Sequence, residues 1–399
     1  MPVIILADPS RDGHRTQNVL SLSAYAHVYP DIEFVFLVHP WVAGQVKATP
    51  GSVIPPNVKI KTFQNDKDAD LTVHPRDLSR AAKLLRQISK QAALEHADLV
   101  HLLHLEPFLV PLVVWDPLQR PARWSGLLFY SAIHYPERFG AALPPRRLLS
   151  ARVRHILVRR LLARSNFALI QTDDPYYLEY LKSEKGRVIP EHSMRPPGEQ
   201  RPGDLPREWE ESSYRILCFG ALSQRHGIFQ LCEALESVKA PAGTISVLFG
   251  GKIVAAAKSQ FLEQLAATKA MRSDIHIFLL NRFLDDQEIL WAVNRASLIA
   301  APYQRMVGSS SVMCWAARAG VPILTQDWGL LGTIVSQHHL GETVDTTQPA
   351  LIAEKLSALI SGRPPNFDRT EAEKFAASNS VESFGKTYLA QLVAAVGSR

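Results

Sequence analysis

The hydrophobic positions in the first half of the chain form short apolar runs separated by segments with helical spacing. The runs predict buried strands at 3–7, 33–39, 98–104, 124–130 and 167–172. The intervening segments predict helices at 15–28, 77–96, 147–164 and 175–183. This alternation is typical of a parallel sheet that is covered by helices on both faces. We therefore expect the first half to be an α/β domain.

A second series with the same alternation begins near residue 214. It predicts strands at 214–220, 244–251, 274–280, 297–303 and 321–326. It also predicts helices at 227–238, 254–271, 285–295, 312–319, 350–361 and, last, 381–396. Between the two series, residues 189–213 are rich in proline, glycine and charge, which is typical of a linker. The predicted organisation is an N-terminal domain at 1–188, a linker at 189–213, a second domain at 214–362 and a helical segment at 363–399 that crosses back to the first domain.

Two α/β domains joined by a linker commonly bind ligands in the cleft between them. The loops that follow the carboxyl ends of parallel strands make the contacts. In this chain those loops are predicted at 8–15, 131–139, 220–227, 250–252 and 303–311. The predicted fold class is thus α/β, with two Rossmann-like domains that face a central cleft.

The loop at 303–311 has the most informative chemistry. It follows an apolar run that ends at Pro302, and it carries Gly308 and then three serines, Ser309–Ser311. A helix-like run follows and ends at Gly320. Small residues at a helix N-terminus leave backbone N–H groups free for an anion, above all phosphate. The alternative is that Ser309 merely caps a helix.

Composition describes an ordinary globular chain. At 399 residues, with 46% hydrophobic residues, it is long enough for two domains. No apolar run is long enough for a transmembrane helix, and the N-terminus lacks the pattern of a signal peptide, so we expect a cytoplasmic protein. The three cysteines lie in apolar runs without metal-ligand spacing, which favours structural thiols and no metal site.

The net charge of +6 is unevenly distributed. Residues 144–165 hold seven arginines: Arg146, Arg147, Arg152, Arg154, Arg159, Arg160 and Arg164. Val153, Ile156, Leu157 and Leu161 repeat at helical spacing, so we expect them to pack while the opposite face is cationic. Such a helix from Arg146 to Arg164 could contact an anionic membrane at its surface or an anionic substrate, or it could simply be solvated. Nucleic acid is not expected, because aromatic residues are not interleaved with the arginines.

Three segments in the second half resemble, in order and spacing, the GT-B glycosyltransferases of the glycogen synthase and phosphatidylinositol mannosyltransferase type. They are RILCFGALSQRHGIFQLCEAL (215–235), FLDDQEILWAVNRASLIAAPY (283–303) and WAARAGVPILTQDWGLLGTIV (315–335). The resemblance implies a GT-B fold in which the second domain binds a nucleotide-sugar donor. It also implies a hydroxyl acceptor at the first domain and no bound cofactor or metal, since the nucleotide sugar is a co-substrate.

The chain departs from this family at diagnostic positions. The Glu-x7-Glu motif of the family falls on Val307 and Trp315, and Ala221 and His226 stand where an Arg and a Lys are usual. Arginines elsewhere in the loops could still contact a diphosphate, because their guanidinium groups suit bidentate contacts. The predicted donor-binding residues are Gly220, Arg225, His226, Gly250, Arg305, Gly308, Ser309, Ser310 and Ser311.

Transfer of a sugar to a hydroxyl group requires a group that accepts the hydroxyl proton. His134 follows a predicted strand where related enzymes place an active-site histidine, and His14 follows the first predicted strand. We predict both as catalytic candidates, with Asp12 and Glu137 as lesser ones. His101 lies within a strand and is predicted to be a core residue.

These residues lead to three hypotheses. The first is a glycosyltransferase that moves a sugar from a nucleotide sugar to a glycan, a lipid-linked molecule or a small molecule. The second is a non-catalytic GT-B protein that binds a glycan, nucleotide or protein, which the absence of both glutamates favours. The third is a nucleotide-sugar epimerase of related fold, although Cys314 and Trp315 stand where that family carries carboxylates.

Overall fold

A computed structural model describes residues 1–11, 13–49, 53–64, 77–114, 122–193, 196, 198–241 and 245–397, with only the backbone described at 13–15. Within this part of the chain the structure divides into two compact units. The first is Met1–Pro190 together with Val381–Arg399, and the second is Glu191–Ser380.

The first unit is built on a parallel sheet with the order β3-β2-β1-β4-β5-β6-β7. Its strands are β1 (Val3–Asp8), β2 (Glu33–Val38), β3 (Val58–Thr62), β4 (Leu99–Leu102), β5 (Arg123–Leu127), β6 (Phe167–Thr172) and β7 (Gly186–Val188). Its helices are α1 (Gly13–Ala26), α2 (Pro40–Ala48), α3 (Leu78–Leu94), α4 (Leu109–Val114), α5 (Tyr135–Phe139), α6 (Pro145–Leu162) and α7 (Pro175–Leu181). The central strands are buried on both faces, which explains why they read as continuous apolar runs.

The second unit repeats this plan with a parallel sheet of the order β10-β9-β8-β11-β12-β13. Its strands are β8 (Tyr214–Phe219), β9 (Ile245–Gly250), β10 (His276–Leu280), β11 (Leu298–Ala301), β12 (Ile323–Gln326) and β13 (Gly341–Val344). Its helices are α8 (Glu208–Glu211), α9 (Ile228–Ser237), α10 (Lys258–Met271), α11 (Asp286–Arg295), α12 (Ser311–Ala319), α13 (Gly329–Gln337), α14 (Pro349–Ile360) and α15 (Arg369–Ser378). Both units therefore have the Rossmann-like architecture that the sequence predicts.

Two segments outside the predicted domains pack onto them. Most of the stretch predicted as a linker at 189–213 belongs to the second unit, because Leu205 and Trp209 are buried in its core. The segment after residue 362 is divided. Helix α15 packs on α12 within the second unit, whereas α16 (Val381–Gly397) packs on α1 within the first.

The apolar pattern locates most of the helices and strands to within a few residues, but it does not predict the short or polar strands. Strand β3 (VKIKT) alternates with lysines at the sheet edge, and β13 is only four residues long. Among the described residues, no helix is long and apolar enough to cross a membrane. In the same part of the chain, no group of three histidine, cysteine or acidic side chains is arranged to hold a metal ion.

Candidate functional site

The second sheet has a topological switch point between β8 and β11. The strand order proceeds outward on one side through β9 and β10, and on the other through β12 and β13. At such a point the loops after the two central strands diverge and leave a crevice at the carboxyl edge of the sheet, where ligands bind. In this unit those loops are the predicted 220–227 and 303–311.

Backbone contacts join these two loops. The Gln304 N–H donates a hydrogen bond to the Arg225 carbonyl over 2.9 Å. Gly227 has a left-handed φ of 72°, and a Cβ there would lie 1.9 Å from the Pro302 carbonyl oxygen. Only glycine allows this approach. The turn after β8 is therefore held against the loop after β11 by the backbone itself.

Helix α12 begins at this junction, and the residue that caps it is Ser310, not Ser309 as in the alternative interpretation of the sequence. The Ser310 Oγ accepts a hydrogen bond from the Val312 N–H and lies 2.7 Å from the Tyr303 hydroxyl oxygen. Tyr303 is buried, and burial raises its pKa to about 12 although the Ser310 contact and the charge of Arg225 oppose the rise. Gly308 has a φ of 93°, which lets the loop turn into the helix. Ser311 is the first residue of the helix.

Ser309 contacts a carboxylate at this helix N-terminus. Its hydroxyl donates to Glu191 Oε2 over 2.6 Å, and the other Glu191 oxygen accepts from the His192 N–H over 3.0 Å. A neighbouring contact, from Arg318 Nη2 to Ser193 Oγ at 2.8 Å, holds the same segment against α12. A negative charge is favourable beside the N-terminus of a helix. Within the second unit, Glu191 thus lies beside the place where the sequence predicts a phosphate.

The predicted cations differ in their surroundings. Arg225 is exposed on the short 3₁₀ turn that precedes α9. His226 lies in the same turn, where Nδ1 is 2.6 Å from Ser223 Oγ and the ring lies 5.2 Å from that of Tyr303. Arg305 has a left-handed φ of 49° and lies near two carboxylates. Burial and the nearby Asp345 raise the pKa of Asp327, and the charge of Arg305 opposes that rise. Arg225 is therefore the better-placed cation for an anionic ligand.

The glycines at the ends of β8 and β9 allow close packing. A Cβ at Gly250 would lie 2.7 Å from Leu284 Cδ1, and a Cβ at Gly251 would lie 1.8 Å from the Gly220 carbonyl oxygen. Gly220, by contrast, has open space around its Cβ position at a φ of 107°. Gly250 and Gly251 are thus required by neighbouring protein atoms, and Gly220 is the glycine that leaves room in the crevice.

Val307 and Trp315, which stand at the positions of the family's two glutamates, carry no carboxylate. Trp315 is 5% exposed, and the Arg318 guanidinium carbon lies 4.6 Å from the centre of its ring. The indole is therefore used for packing within α12 rather than presented as an open stacking surface. Val307 is half-buried in the loop.

In the first unit, His134 lies between β5 and α5 and is 1% exposed. Its Nε2 lies 3.2 Å from Asp174 Oδ2, and rings of Tyr135, Phe139, Tyr177 and Tyr180 surround it at 4.9–6.3 Å between centroids. Asp174 is itself fixed, because its Oδ1 caps α7 by accepting from the Tyr177 N–H. Neither ring nitrogen of His134 makes a hydrogen bond within the described residues. The histidine is thus an oriented but enclosed group.

The other candidates of this unit are placed differently. His14 lies in the first turn of α1, but its side chain is outside the described part of the chain, as is Asp12. Glu137 is exposed in α5. His101 is a core residue, as predicted, with its ring nitrogens 2.8 Å from Ser125 Oγ and 2.7 Å from the Tyr388 hydroxyl oxygen.

Several polar groups near these sites were not predicted from the sequence. Glu191 and Asp174 are missed because each is distant in sequence from its partner. Glu106 is also missed. It follows β4, is buried, and accepts hydrogen bonds at Oε1 from the N–H groups of Phe129 and Tyr130 at 2.7 Å. Its other oxygen lies 3.5 Å from His104 Nε2. Asp174 and Glu106 share a signal, because each is an acidic residue just after a predicted strand, in a loop at the carboxyl edge of the sheet. Glu191 lacks this signal, because it follows β7, a strand that the sequence does not predict.

The sequence matches no known family profile and no curated protein. Its structure, however, is similar to solved structures over nearly the full length of both chains. Sucrose-phosphate synthase from Thermosynechococcus elongatus has a TM-score of 0.69 at 16% identity, with 99% of this chain and 100% of that chain covered. The HepE protein of Anabaena, solved with UDP-glucose, has a TM-score of 0.67 at 14% identity and the same coverage.

A third similar structure is the UDP-forming α,α-trehalose-phosphate synthase from Burkholderia vietnamiensis. Its TM-score is 0.67 at 12% identity, and 99% of this chain and 100% of that chain are covered. Together with the two Rossmann-like sheets, these similarities show that the chain has the GT-B fold. The predicted fold is therefore confirmed.

Proposed function

We propose that this protein is a glycosyltransferase that binds a nucleotide-sugar donor at the switch point of its second unit. The observation that carries the proposal is the junction of the turn at 220–227 with the loop at 302–310, where α12 begins. It combines the N-terminus of α12, three serines at 309–311 and the exposed Arg225 in one place. The similar structures support a UDP-sugar donor, because the HepE protein was solved with UDP-glucose and the trehalose-phosphate synthase is named as UDP-forming.

The chemistry follows from these groups. The bond from the anomeric carbon to the diphosphate oxygen breaks, and negative charge develops on the leaving diphosphate. The α12 N-terminus and the Arg225 guanidinium would stabilise that charge as it grows. Arginine retains its positive charge at any physiological pH. These groups neutralise the leaving group through the protein alone, and we propose no bound cofactor or metal.

The acceptor hydroxyl must lose a proton as it attacks. We propose His134 for this side of the reaction, with Asp174 as the residue that orients its ring. A carboxylate beside one imidazole nitrogen orients the ring and fixes which nitrogen carries the proton. Because His134 is buried, its Nδ1 reaches a substrate only if neighbouring aromatic side chains move. His14 stays a second candidate.

The acceptor is proposed only by class. Two similar structures are named as synthases of sugar phosphates, sucrose-phosphate and trehalose-phosphate, which supports including sugar phosphates beside glycans and lipid-linked hydroxyls. The resemblance to the glycogen synthase and phosphatidylinositol mannosyltransferase type supports a glycan or a lipid-linked acceptor.

A transfer assay tests the proposal. The protein is incubated with UDP-, GDP- and ADP-sugars and with pools of sugar phosphates, glycans and lipid-linked acceptors, and release of the nucleoside diphosphate is measured with formation of the glycosylated product. We expect one nucleotide class to support turnover. Arg225→Ala should lower kcat/KM at least about tenfold, as expected for a lost charged contact. Arg369→Ala, an exposed arginine of α15, is the matched control and should have no effect.

A second function is favoured by one specific observation. The Glu191 carboxylate lies at the α12 N-terminus, and neither Val307 nor Trp315 offers a carboxylate to a ribose or a sugar. This arrangement fits a GT-B protein that binds a nucleotide or glycan without transfer. Tight binding of a nucleotide sugar, together with no product from any acceptor pool, would favour that function over the first.

A further inference from the structure

Helix α6 turns a different face inward from the one that its sequence predicts. Ala151, Val158, Leu161 and Leu162 are buried against α4 and β6. Three large aliphatic side chains instead face solvent, with 64% of Leu149, 47% of Val153 and 51% of Ile156 exposed. The prediction that Val153 and Ile156 pack in the core is therefore wrong. The small residue Ala151 and the later leucines provide the packing face.

The three exposed aliphatic residues form one stripe. At 100° per residue they lie within about 60° of one another around the helix axis. Of the exposed arginines, Arg146, Arg152 and Arg159 flank the stripe within about 90° of it, and Arg160 lies in line with it. Arg147 is exposed on another side of the helix. The helix contains no acidic residue from Pro145 to Leu162.

We propose that this face of α6 docks on the surface of an anionic phospholipid bilayer. The three aliphatic side chains would enter the boundary between head groups and acyl chains, and the flanking guanidinium groups would contact lipid phosphates. A helix with an apolar stripe flanked by cations binds such an interface through both apolar burial and charge. This inference goes beyond the proposed reaction and does not depend on it.

The charge and the exposed apolar area of this face of α6 together favour a lipid bilayer as its binding partner. On a face that is only solvated, the arginines point outward and the large aliphatic side chains point inward. On α6, Leu149, Val153 and Ile156 are exposed together with the arginines. An acidic soluble partner would satisfy the arginines. A bilayer surface, however, offers lipid phosphates and an apolar layer side by side along the whole helix.

The C-terminal end of α6 is anchored to α4. Arg164, just after the helix, donates hydrogen bonds from both terminal nitrogens to the Leu112 and Val113 carbonyl oxygens at 2.9 Å. The helix can therefore present the stripe without unfolding.

Vesicle flotation of the full chain tests the proposal. We expect binding to phosphatidylcholine vesicles with 30% phosphatidylglycerol and at least tenfold weaker binding to pure phosphatidylcholine. Raising the salt from 0.1 to 0.5 M should weaken the binding, since salt screens surface charge. Equal binding to both vesicles, or to neither, would overturn the proposal. So would binding to soluble polyglutamate combined with no binding to vesicles.

Two sets of variants separate the aliphatic and cationic contributions. A Leu149→Gln, Val153→Gln, Ile156→Gln variant should bind anionic vesicles at least about tenfold more weakly. Replacing Arg152, Arg159 and Arg160 by Gln should weaken binding by about fivefold per arginine. A Met271→Gln, Phe283→Gln variant removes exposed apolar side chains of the second unit and should bind like the wild type. If the aliphatic variant binds as tightly as the wild type, insertion of the stripe is ruled out.

A fluorescent label locates the contact. The native cysteines Cys218, Cys232 and Cys314 are all buried, so Ile156→Cys provides a selectively reactive thiol. An environment-sensitive dye on this residue should shift its emission to the blue when anionic vesicles are added. The same dye on Val28→Cys, an exposed site elsewhere in the first unit, should not shift. No shift at residue 156 despite vesicle binding would overturn the assignment to α6.

Discussion

Two buried histidines of the first unit differ in what their ring nitrogens contact. His101 has a hydroxyl partner on each nitrogen, so the neutral ring is satisfied in the core. His134 lies beside the carboxylate of Asp174 and has no hydrogen bond within the described residues. A hydroxyl-bonded neutral ring is typical of structure, whereas a ring beside a carboxylate with an open nitrogen can accept a proton. This contrast supports His134 over His101 as the reactive group.

The burial of His101 predicts a pH dependence of stability. Burial lowers the pKa of His101 from 6.5 to about 3. Unfolding frees the ring, which then takes up a proton at any pH between those values. The free energy of unfolding should therefore fall as the pH falls below 6.5, by up to about 1.4 kcal/mol per pH unit from this residue.

Urea unfolding of the wild type and of His101→Gln, measured from pH 7 to pH 4.5, checks this prediction. The Gln side chain keeps hydrogen-bonding atoms but does not titrate, so its curve should fall less steeply below pH 6.5. Parallel curves for the two proteins would contradict the neutral, buried state of His101.

Glu191 leads to a prediction about ligand affinity. Its carboxylate lies beside the α12 N-terminus, where a diphosphate would be repelled by it. Glu191→Gln should therefore bind UDP about three- to tenfold more tightly, and Ser309→Ala should leave the charge in place and give a smaller change. Calorimetric titration of both variants measures this. Weaker binding by Glu191→Gln would mean instead that the carboxylate contacts the ligand.

Individual site residues can be predicted from the sequence where a local pattern marks them. Prediction from the sequence locates the serine cluster and Arg225, because both lie in loops next to strong strand signals. Its alternative interpretation names Ser309 as the helix cap where the structure has Ser310, since either serine fits a helix start. It misses Glu191, which lies 118 residues from Ser309, because no local pattern encodes a tertiary pair.

At the scale of elements, the junction between the two loops of the second unit depends on Gly227. Gly227→Ala would add a left-handed penalty and a clash with the Pro302 carbonyl oxygen. We expect a loss of about 2–5 kcal/mol in the free energy of unfolding and weaker nucleotide binding.

Gly140→Ala is the matched control for this variant. Its φ is 60°, but no atom lies within 4 Å of the added Cβ, so only the backbone penalty of about 1–2 kcal/mol remains. Urea unfolding and UDP titration of both variants provide the comparison. Equal destabilisation, with nucleotide binding intact in Gly227→Ala, would contradict the role of the junction.

Helix α6 shows where element prediction from periodicity fails. Its apolar residues are spread around the helix, and more than one set of them has helical spacing. The set of Val153, Ile156, Leu157 and Leu161 that the sequence suggests is not buried together in the structure. The helices α3 and α9 have a single apolar side, and for them the pattern is sufficient. The pattern thus predicts that α6 is a helix but not which side packs.

For the whole molecule, the alternation of apolar runs and helices suffices to predict two Rossmann-like units. The reason is physical, since a parallel sheet with both faces covered requires continuous apolar strands joined by helical crossovers. The same pattern does not encode where the last helices pack. Helix α16 belongs to the first unit through contacts such as the one between Tyr388 and His101, which lie 287 residues apart.

The proposed function requires that a nucleoside diphosphate bind at the switch point of the second unit, and calorimetric titration measures this binding. UDP and UDP-glucose are titrated into the wild type, Arg225→Ala and Arg369→Ala. We expect the wild type and Arg369→Ala to bind with the same Kd and Arg225→Ala to bind at least about tenfold more weakly, a loss of about 1.4 kcal/mol. Equal affinity in all three proteins, or no binding of any nucleoside diphosphate by the wild type, would contradict it.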